Sequence, residues 1–295
     1  MFRVGRGLVG GIAGCLFWAA GAFAAEGPSS QPGPAWLGDY ALAVKTAQQE
    51  GKMLLIHFHT PGSEACRRLE SEALADPAVV EKLKRFALLK LPTDAEVQTT
   101  EAGDNVVLLR HDAFAEMLGC PGLAIIDYAH RASAHYGHVV SVFPMTDNAA
   151  YSAEQVGVML DLPPGTLTQR TMVYAVRTHP ERPASTHGHF DPTLASEAEC
   201  HSEYQARIGS QGHHFWDVRF QRIIAGLPNG GGAREVCAES WPGQRLLESA
   251  IECVRCWRHS SGHWSAVSAY CPYYAYDIKR GANGVWYATG IVAGN

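Results

Sequence analysis

Glu235-Val-Cys-Ala-Glu-Ser-Trp-Pro242, followed by Cys256-Trp-Arg-His-Ser-Ser-Gly-His-Trp-Ser-Ala-Val267, decides how the C-terminal half of the chain is read. Glu239 lies in a short, turn-like segment, while Trp257, Gly262 and His263 follow at close intervals. Between the two stretches, Leu247, Ala250, Ile251, Val254 and Trp257 recur every three or four residues, which predicts an amphipathic helix over 245–257. Upstream, 168–176 is helical, and Asp191-Pro192 opens another helix carrying Leu194, Ala198 and Tyr204. Aspartate suits the N-cap, and proline is tolerated at the first helical position. Downstream, 263–269 and 284–292 read as strands. Helices flanking an antiparallel sheet imply an α-β-α sandwich.

These residues resemble the signature core of the CAP superfamily, the cysteine-rich secretory, antigen-five and pathogenesis-related proteins. The resemblance covers 166–295 within a domain taken as 163–295. It implies a cavity presenting two histidines and one or two acids. His263, in Ser-Gly-His, matches the second histidine, and Glu239 matches the first acid. His213 and His214 both match the first histidine, and His213 is favoured because it directly follows Gly212. The usual place of a second acid holds Arg258, His259 and Ser260, with Glu252 a weak substitute one turn earlier. Two neutral imidazoles and a carboxylate with an open fourth position suit Zn²⁺, so His213, Glu239 and His263 form the candidate metal set. The same groups without metal suit acid–base work near neutral pH, or a buried hydrogen-bonded network.

The N-terminal half alternates differently. Helical patterns at 39–49, 66–74, 77–84, 113–118 and 153–160 are interleaved with apolar strands at 53–58, 86–91, 123–127 and 139–143. That order predicts an α/β layered sheet. Two landmarks, Phe58-His-Thr-Pro-Gly-Ser63-Glu-Ala-Cys66 and Cys120-Pro121, resemble the redox motif and the facing cis-proline of the thioredoxin fold over 36–162. The fold class expected is a thioredoxin-like α/β domain followed by a CAP-type sandwich, divided near Pro163-Pro-Gly165.

Departures from the thioredoxin pattern bear on activity. The attacking cysteine is replaced by Ser63, and a buried acid on the preceding strand by His57. Dithiol exchange needs a low-pKa thiolate and a second, resolving thiol. Serine supplies neither. Cys66 and Cys120 remain as a disulfide or redox pair, or else as two separate buried thiols. Cys253 and Cys256 form a CxxC, but on a helix they point to different sides, which suits packing better than redox or metal work.

The first residues set the expected compartment. Arg3 and Arg6 precede an uncharged, mostly apolar run from Gly7 to Ala25 that ends in Ala22-Phe23-Ala24, the pattern of a secretory signal peptide over 1–25. Ile12-Ala13-Gly14-Cys15 offers a competing lipobox, with lipid anchoring at Cys15. Residues 26–35 are a Pro/Gly-rich tether. Of eight cysteines, one lies in the leader, and the odd remainder leaves at least one thiol without an intramolecular partner. Beyond the leader no stretch approaches the ~20 apolar residues of a spanning helix.

With 46% hydrophobic and 18% charged residues the chain is globular, and a formal charge of −5 gives no electrostatic case for nucleic acid. The expected function is therefore binding, in the periplasm or outside the cell, of an envelope or extracellular ligand such as a lipid, peptide or glycan. Two enzymatic readings stand beside it: a zinc-dependent hydrolase of a peptide or envelope polymer, and a thiol oxidoreductase using Cys66 and Cys120.

Overall fold

The computed structural model describes residues 34–98, 105–227 and 231–294. The expected signal peptide, the Cys15 lipobox and nearly all of the tether lie outside them. Gly33–Asn295 forms one compact unit.

The first half follows from its strand periods. Helix α1 (Tyr40–Glu50) is capped by Asp39, whose carboxylate accepts from Leu42 N at 2.7 Å, and ends on Gly51 at φ 61°. Then come β1 (Met53–His59), α2 (Glu64–Arg68, continued as a π-turn to Ala73), α3 (Pro77–Leu83) and β2 (Phe86–Pro92). An antiparallel pair of β3 (Glu96–Gln98) and β4 (Asn105–Val107), two 3-10 turns, β5 (Gly122–Ile126), β6 (Val139–Pro144) and α4 (Ala153–Leu160) complete it. The sheet order is β2-β1-β5-β6, with β1 and β2 parallel and the other pairs antiparallel. Both faces of β5 are buried, which explains its unbroken apolar run. The α-helix expected at 113–118 is instead a 3-10 turn, Asp112–Met117, kinked at Phe114.

The second half comprises α5 (Leu167–Arg177), β7 (His189–Phe190), α6 (Pro192–Ile208), α7 (Trp216–Gly226), β8 (Ala233–Glu239), α8 (Leu246–Arg258), α9 (Ser261–Ser268), β9 (Tyr273–Arg280) and β10 (Trp286–Ala293). Its sheet order is β7-β9-β10-β8. Val236, Ala238, Tyr276, Ile278 and Ala288 share a core with α5 and α8. Ala275, Ile291 and Ala293 pack with Leu194 and Ala198 of α6 and Ile223 of α7. Helices thus cover both faces of a mainly antiparallel sheet. Gly290 of β10 leaves room for the ring of Tyr276 on the neighbouring strand, with which a Cβ at this position would clash.

Two expectations need correction. The stretch from His263 to Ala269 is not a strand: Ser261–Ser268 is α9, in which Ala266 and Val267 are buried and Ser261, Gly262 and Ser265 are exposed. Its apparent alternation hid an i, i+3 pairing of Trp264 with Val267, and one β-branched residue in eight gives little strand propensity. Glu239 is not in a turn but is the last residue of β8, paired with Tyr287 of β10.

Pro163-Pro-Gly165 does separate the two sheets in sequence, yet their cores are continuous. Helix α5 is buried from Gln169 to Val176, and its Met172, Val173 and Tyr174 join Leu123 and Phe143 to Trp257 and Tyr276. Arg170 is 1% exposed; its Nε donates to Ser141 Oγ at 2.7 Å and its Nη1 to the carbonyls of Leu162 and Pro163 at 3.1 and 2.7 Å. A guanidinium locked into one half by three acceptors while its helix serves the other couples the two energetically. We expect Arg170→Ala to cost about 3 kcal/mol by stranding these acceptors, and calorimetry to show one unfolding transition. Two well-separated transitions would contradict the shared core.

Candidate functional site

The candidate site begins with a strand period. On β8, Glu235 and Cys237 lie on the face toward α6 and α7, opposite Val236 and Ala238. Glu235 is buried, and its carboxylate is the hub. His213 Nδ1 donates to Glu235 Oε1 at 2.9 Å, and Arg219 of α7 donates to Oε2. His201 of α6 stands with Nδ1 3.5 Å from Oε2. Burial pushes the Glu235 carboxyl up, but the hydrogen bonds from His213 and Arg219, with the nearby positive charges, outweigh it and hold the group below the ordinary glutamate range.

Because an ionised carboxylate only accepts, His213 keeps its proton on Nδ1 and turns the Nε2 lone pair away. That atom faces His263 Nε2 at 3.5 Å, with ring centroids 5.7 Å apart. Burial, then the neighbouring His213, lowers the pKa of His263 and favours its neutral form. The pair is partly open to solvent. Two imidazole nitrogens on a tetrahedral Zn²⁺ at ~2.0–2.1 Å stand about 3.3 Å apart, so the observed spacing fits a shared ion.

Of the two histidines left open by sequence, His213 meets His263. His214 instead approaches Ser210 O at 3.3 Å, and its own carbonyl accepts from Arg219. Glu239 is exposed at the strand end. The carboxylate behind His213 is Glu235, one full strand period pair earlier. Glu252 is engaged by Arg255 and by Trp241 Nε1 at 3.0 Å. Sequence reasoning therefore missed Glu235, Arg219, His201 and Cys237. The available signal was the spacing Leu194, Ala198, His201, Gln205, which puts polar residues at core positions of α6.

In the first half, Ser63 caps α2, accepting from Cys66 N at 3.3 Å. Cys66 is 3% exposed and its sulfur accepts from Thr60 N at 3.5 Å. Cys120 is half-buried, with its sulfur 3.8 Å from Leu118 O. Both are free thiols, so the Cys66–Cys120 disulfide is not formed here. Pro121 accepts from Met145 N at 2.8 Å. His57 is fully buried between Trp36 and Glu70, and neither ring nitrogen has a hydrogen-bond partner. Burial lowers its pKa to about 4. A crevice of about 730 Å³, lined by His135, Gln169, Phe190, Glu199 and Tyr274 among others, includes none of His213, His263 or Glu235.

A family model described as thioredoxin-like matches residues 35–127, and this part of the chain is a thioredoxin-like domain. Among solved structures, the chain is similar to a thioredoxin from Thermus thermophilus. The two are 22% identical over 23% of this chain and 69% of that one, with a TM-score of 0.19. No curated protein matches the chain. The match ends at Asp127, whose buried carboxylate accepts from the backbone of Ala129 and His130 at 2.9 and 3.0 Å.

The buried histidines give the fold a defined acid response. Burial lowers His201, like His57, to about 4. As pH falls from the ordinary histidine value, ~6.5, toward 4, the unfolded chain takes up protons that the folded chain refuses, so stability falls. The depressed Glu235 adds to the loss as pH drops through the acid range, because its stabilisation requires the carboxylate. Buried Asp277, pushed up to about 7, acts in the opposite sense over this window. The expected signature in urea denaturation is therefore a difference, roughly 3 kcal/mol per buried imidazole between pH 7.5 and 4 relative to a variant lacking that imidazole. His57→Leu should flatten that slope; an unchanged slope would contradict the assignment.

Proposed function

We propose that this is an exported two-part binding protein whose C-terminal half, of CAP type, presents a divalent-metal and ligand site at His213 and His263. The observation that carries the reading is the facing Nε2 pair at 3.5 Å, with Glu235 and Arg219 fixing the tautomer of His213 from behind. A carboxylate that holds the far nitrogen of a ligating imidazole is the usual support of such a centre. Zn²⁺ fits the donor set, with Glu235 as support and not ligand. The remaining coordination positions would face solvent, where a peptide, glycan or lipid headgroup of the envelope could supply an oxygen.

The thioredoxin-like half serves, in this reading, as scaffold and docking surface. Ser63 at the cap of α2 removes the attacking thiol, and the remaining Cys66 is buried. Thiol exchange through Cys66 and Cys120 therefore ranks below binding.

One observation favours a second reading, hydrolysis. The imidazole pair is partly open, and a bound Zn²⁺ there would supply Lewis acidity and an activated water. His213, held by Glu235, and His263 would orient that ion.

Equilibrium dialysis against Zn²⁺ tests the principal reading. In a Cys237→Ser background, which removes the buried thiol beside the pair, Zn²⁺ should bind with an affinity that His263→Ala, a partly exposed position, lowers by at least tenfold. Equal binding by both proteins would remove the site. Metal-dependent release of label from envelope polymer, lost in the same variant, would move the reading to hydrolase. In insulin reduction, Cys66→Ala should match wild type at background.

A further inference from the structure

Beneath the His213–His263 pair lies a second set of donors that the proposed function does not use. His201, Glu235 and Cys237 bring one nitrogen, one oxygen and one sulfur within 4.8 Å of one another, and all three residues are buried. Cys237 Sγ is 3.9 Å from His201 Nδ1 and 3.7 Å from His213 Nδ1.

The hydrogen bonding around His201 shows what this nook lacks. Gln205 Nε2 donates to Thr289 Oγ1 at 2.9 Å, and the same hydroxyl lies 3.2 Å from His201 Nδ1. With its proton on Nε2, His201 turns the Nδ1 lone pair toward Cys237 Sγ at 3.9 Å and Glu235 Oε2 at 3.5 Å. An imidazole lone pair and a carboxylate oxygen facing each other repel unless a positive centre stands between them. Arg219 meets Glu235 Oε2 from the α7 side and does not reach between these two acceptors by any hydrogen bond to His201. His201 Nε2, on the opposite edge of the ring, is buried without a partner.

We propose that His201, Glu235 and Cys237 form an inner site for a thiophilic cation such as Zn²⁺ or Cu⁺, distinct from the outer imidazole pair. On binding, the Cys237 thiol gives its proton to solvent and ligates as thiolate, with no change in oxidation state. Sulfur and imidazole select such ions over Mg²⁺ and Ca²⁺, which prefer all-oxygen shells. The thiolate and the carboxylate outweigh the single charge of Arg219. His213, half exposed, borders the trio, with Nδ1 2.9 Å from Glu235 Oε1 and 3.7 Å from Cys237 Sγ.

The inner site goes beyond the outer one and is separable from it by the sulfur. Co²⁺ titrated into the reduced full-length protein should produce the near-ultraviolet charge-transfer band of a cobalt–thiolate bond. Cys237→Ala should abolish the band, and His201→Ala should weaken Co²⁺ binding at least tenfold. Cys256→Ser and Cys200→Ser, at exposed cysteines, should leave the band intact, as should His263→Ala, which removes only the outer pair. Circular dichroism of each variant separates loss of a ligand from loss of fold, and Cys237→Ser is the closer replacement should Cys237→Ala unfold. No band in wild type, or a band that survives both Cys237 substitutions, would overturn the inner site. A band lost only with His263→Ala would overturn it equally.

Discussion

One buried carboxylate organises the candidate site of the C-terminal half. Glu235 is taken out of water on β8 and compensated by Arg219 and His213. An unpaired charge in that position would cost several kcal/mol, and removing either partner leaves the other stranded. The same carboxylate ties α7, the loop before it and β8 to one point. It also dictates the hydrogen position on His213, and so which nitrogen is offered outward. Electrostatic compensation and chemical presentation are a single arrangement here.

Around that point the packing is apolar and continuous. Helix α5 is buried on nearly all sides, which its sequence Leu167-Thr-Gln-Arg-Thr-Met-Val-Tyr-Ala-Val-Arg177 only partly announces, because Gln169, Arg170 and Thr171 are buried with it. Arg170 satisfies carbonyls at the chain's crossing between the sheets. Phe143 of β6 meets Tyr174 of α5 with ring centroids 4.8 Å apart. The crossing is a core, not a linker.

Much of the fold was legible because it rests on local periodicity. Strands β1, β2, β5 and β6 are short apolar runs between turn residues, and the capped starts of α1 and α6 are written in Asp39 and Asp191-Pro192. The site was harder to read. Glu239 and Glu235 share a strand face, and only tertiary packing distinguishes the buried member from the exposed one. His213 and His214 are adjacent, and the choice between them depends on a backbone turn ending at Phe215, whose φ of 55° is unusual for a bulky residue. Arg219 carries no motif at all. His263 was picked out for its Ser-Gly-His context, and it projects from a helix where a strand was expected.

The continuity through α5 changes what a truncation means. Severing the chain at Pro163-Pro-Gly165 would not liberate two autonomous modules. One fragment would present the bared face of β5 and β6, where Leu123 and Phe143 have lost Tyr174; the other would carry a helix stripped of the cover over Met172, Val173 and Tyr174. Each would be prone to clump or to recruit chaperones. Deletion phenotypes for either half would then report insolubility, and a point substitution on the imidazole rim is the cleaner way to silence one region while sparing its neighbour.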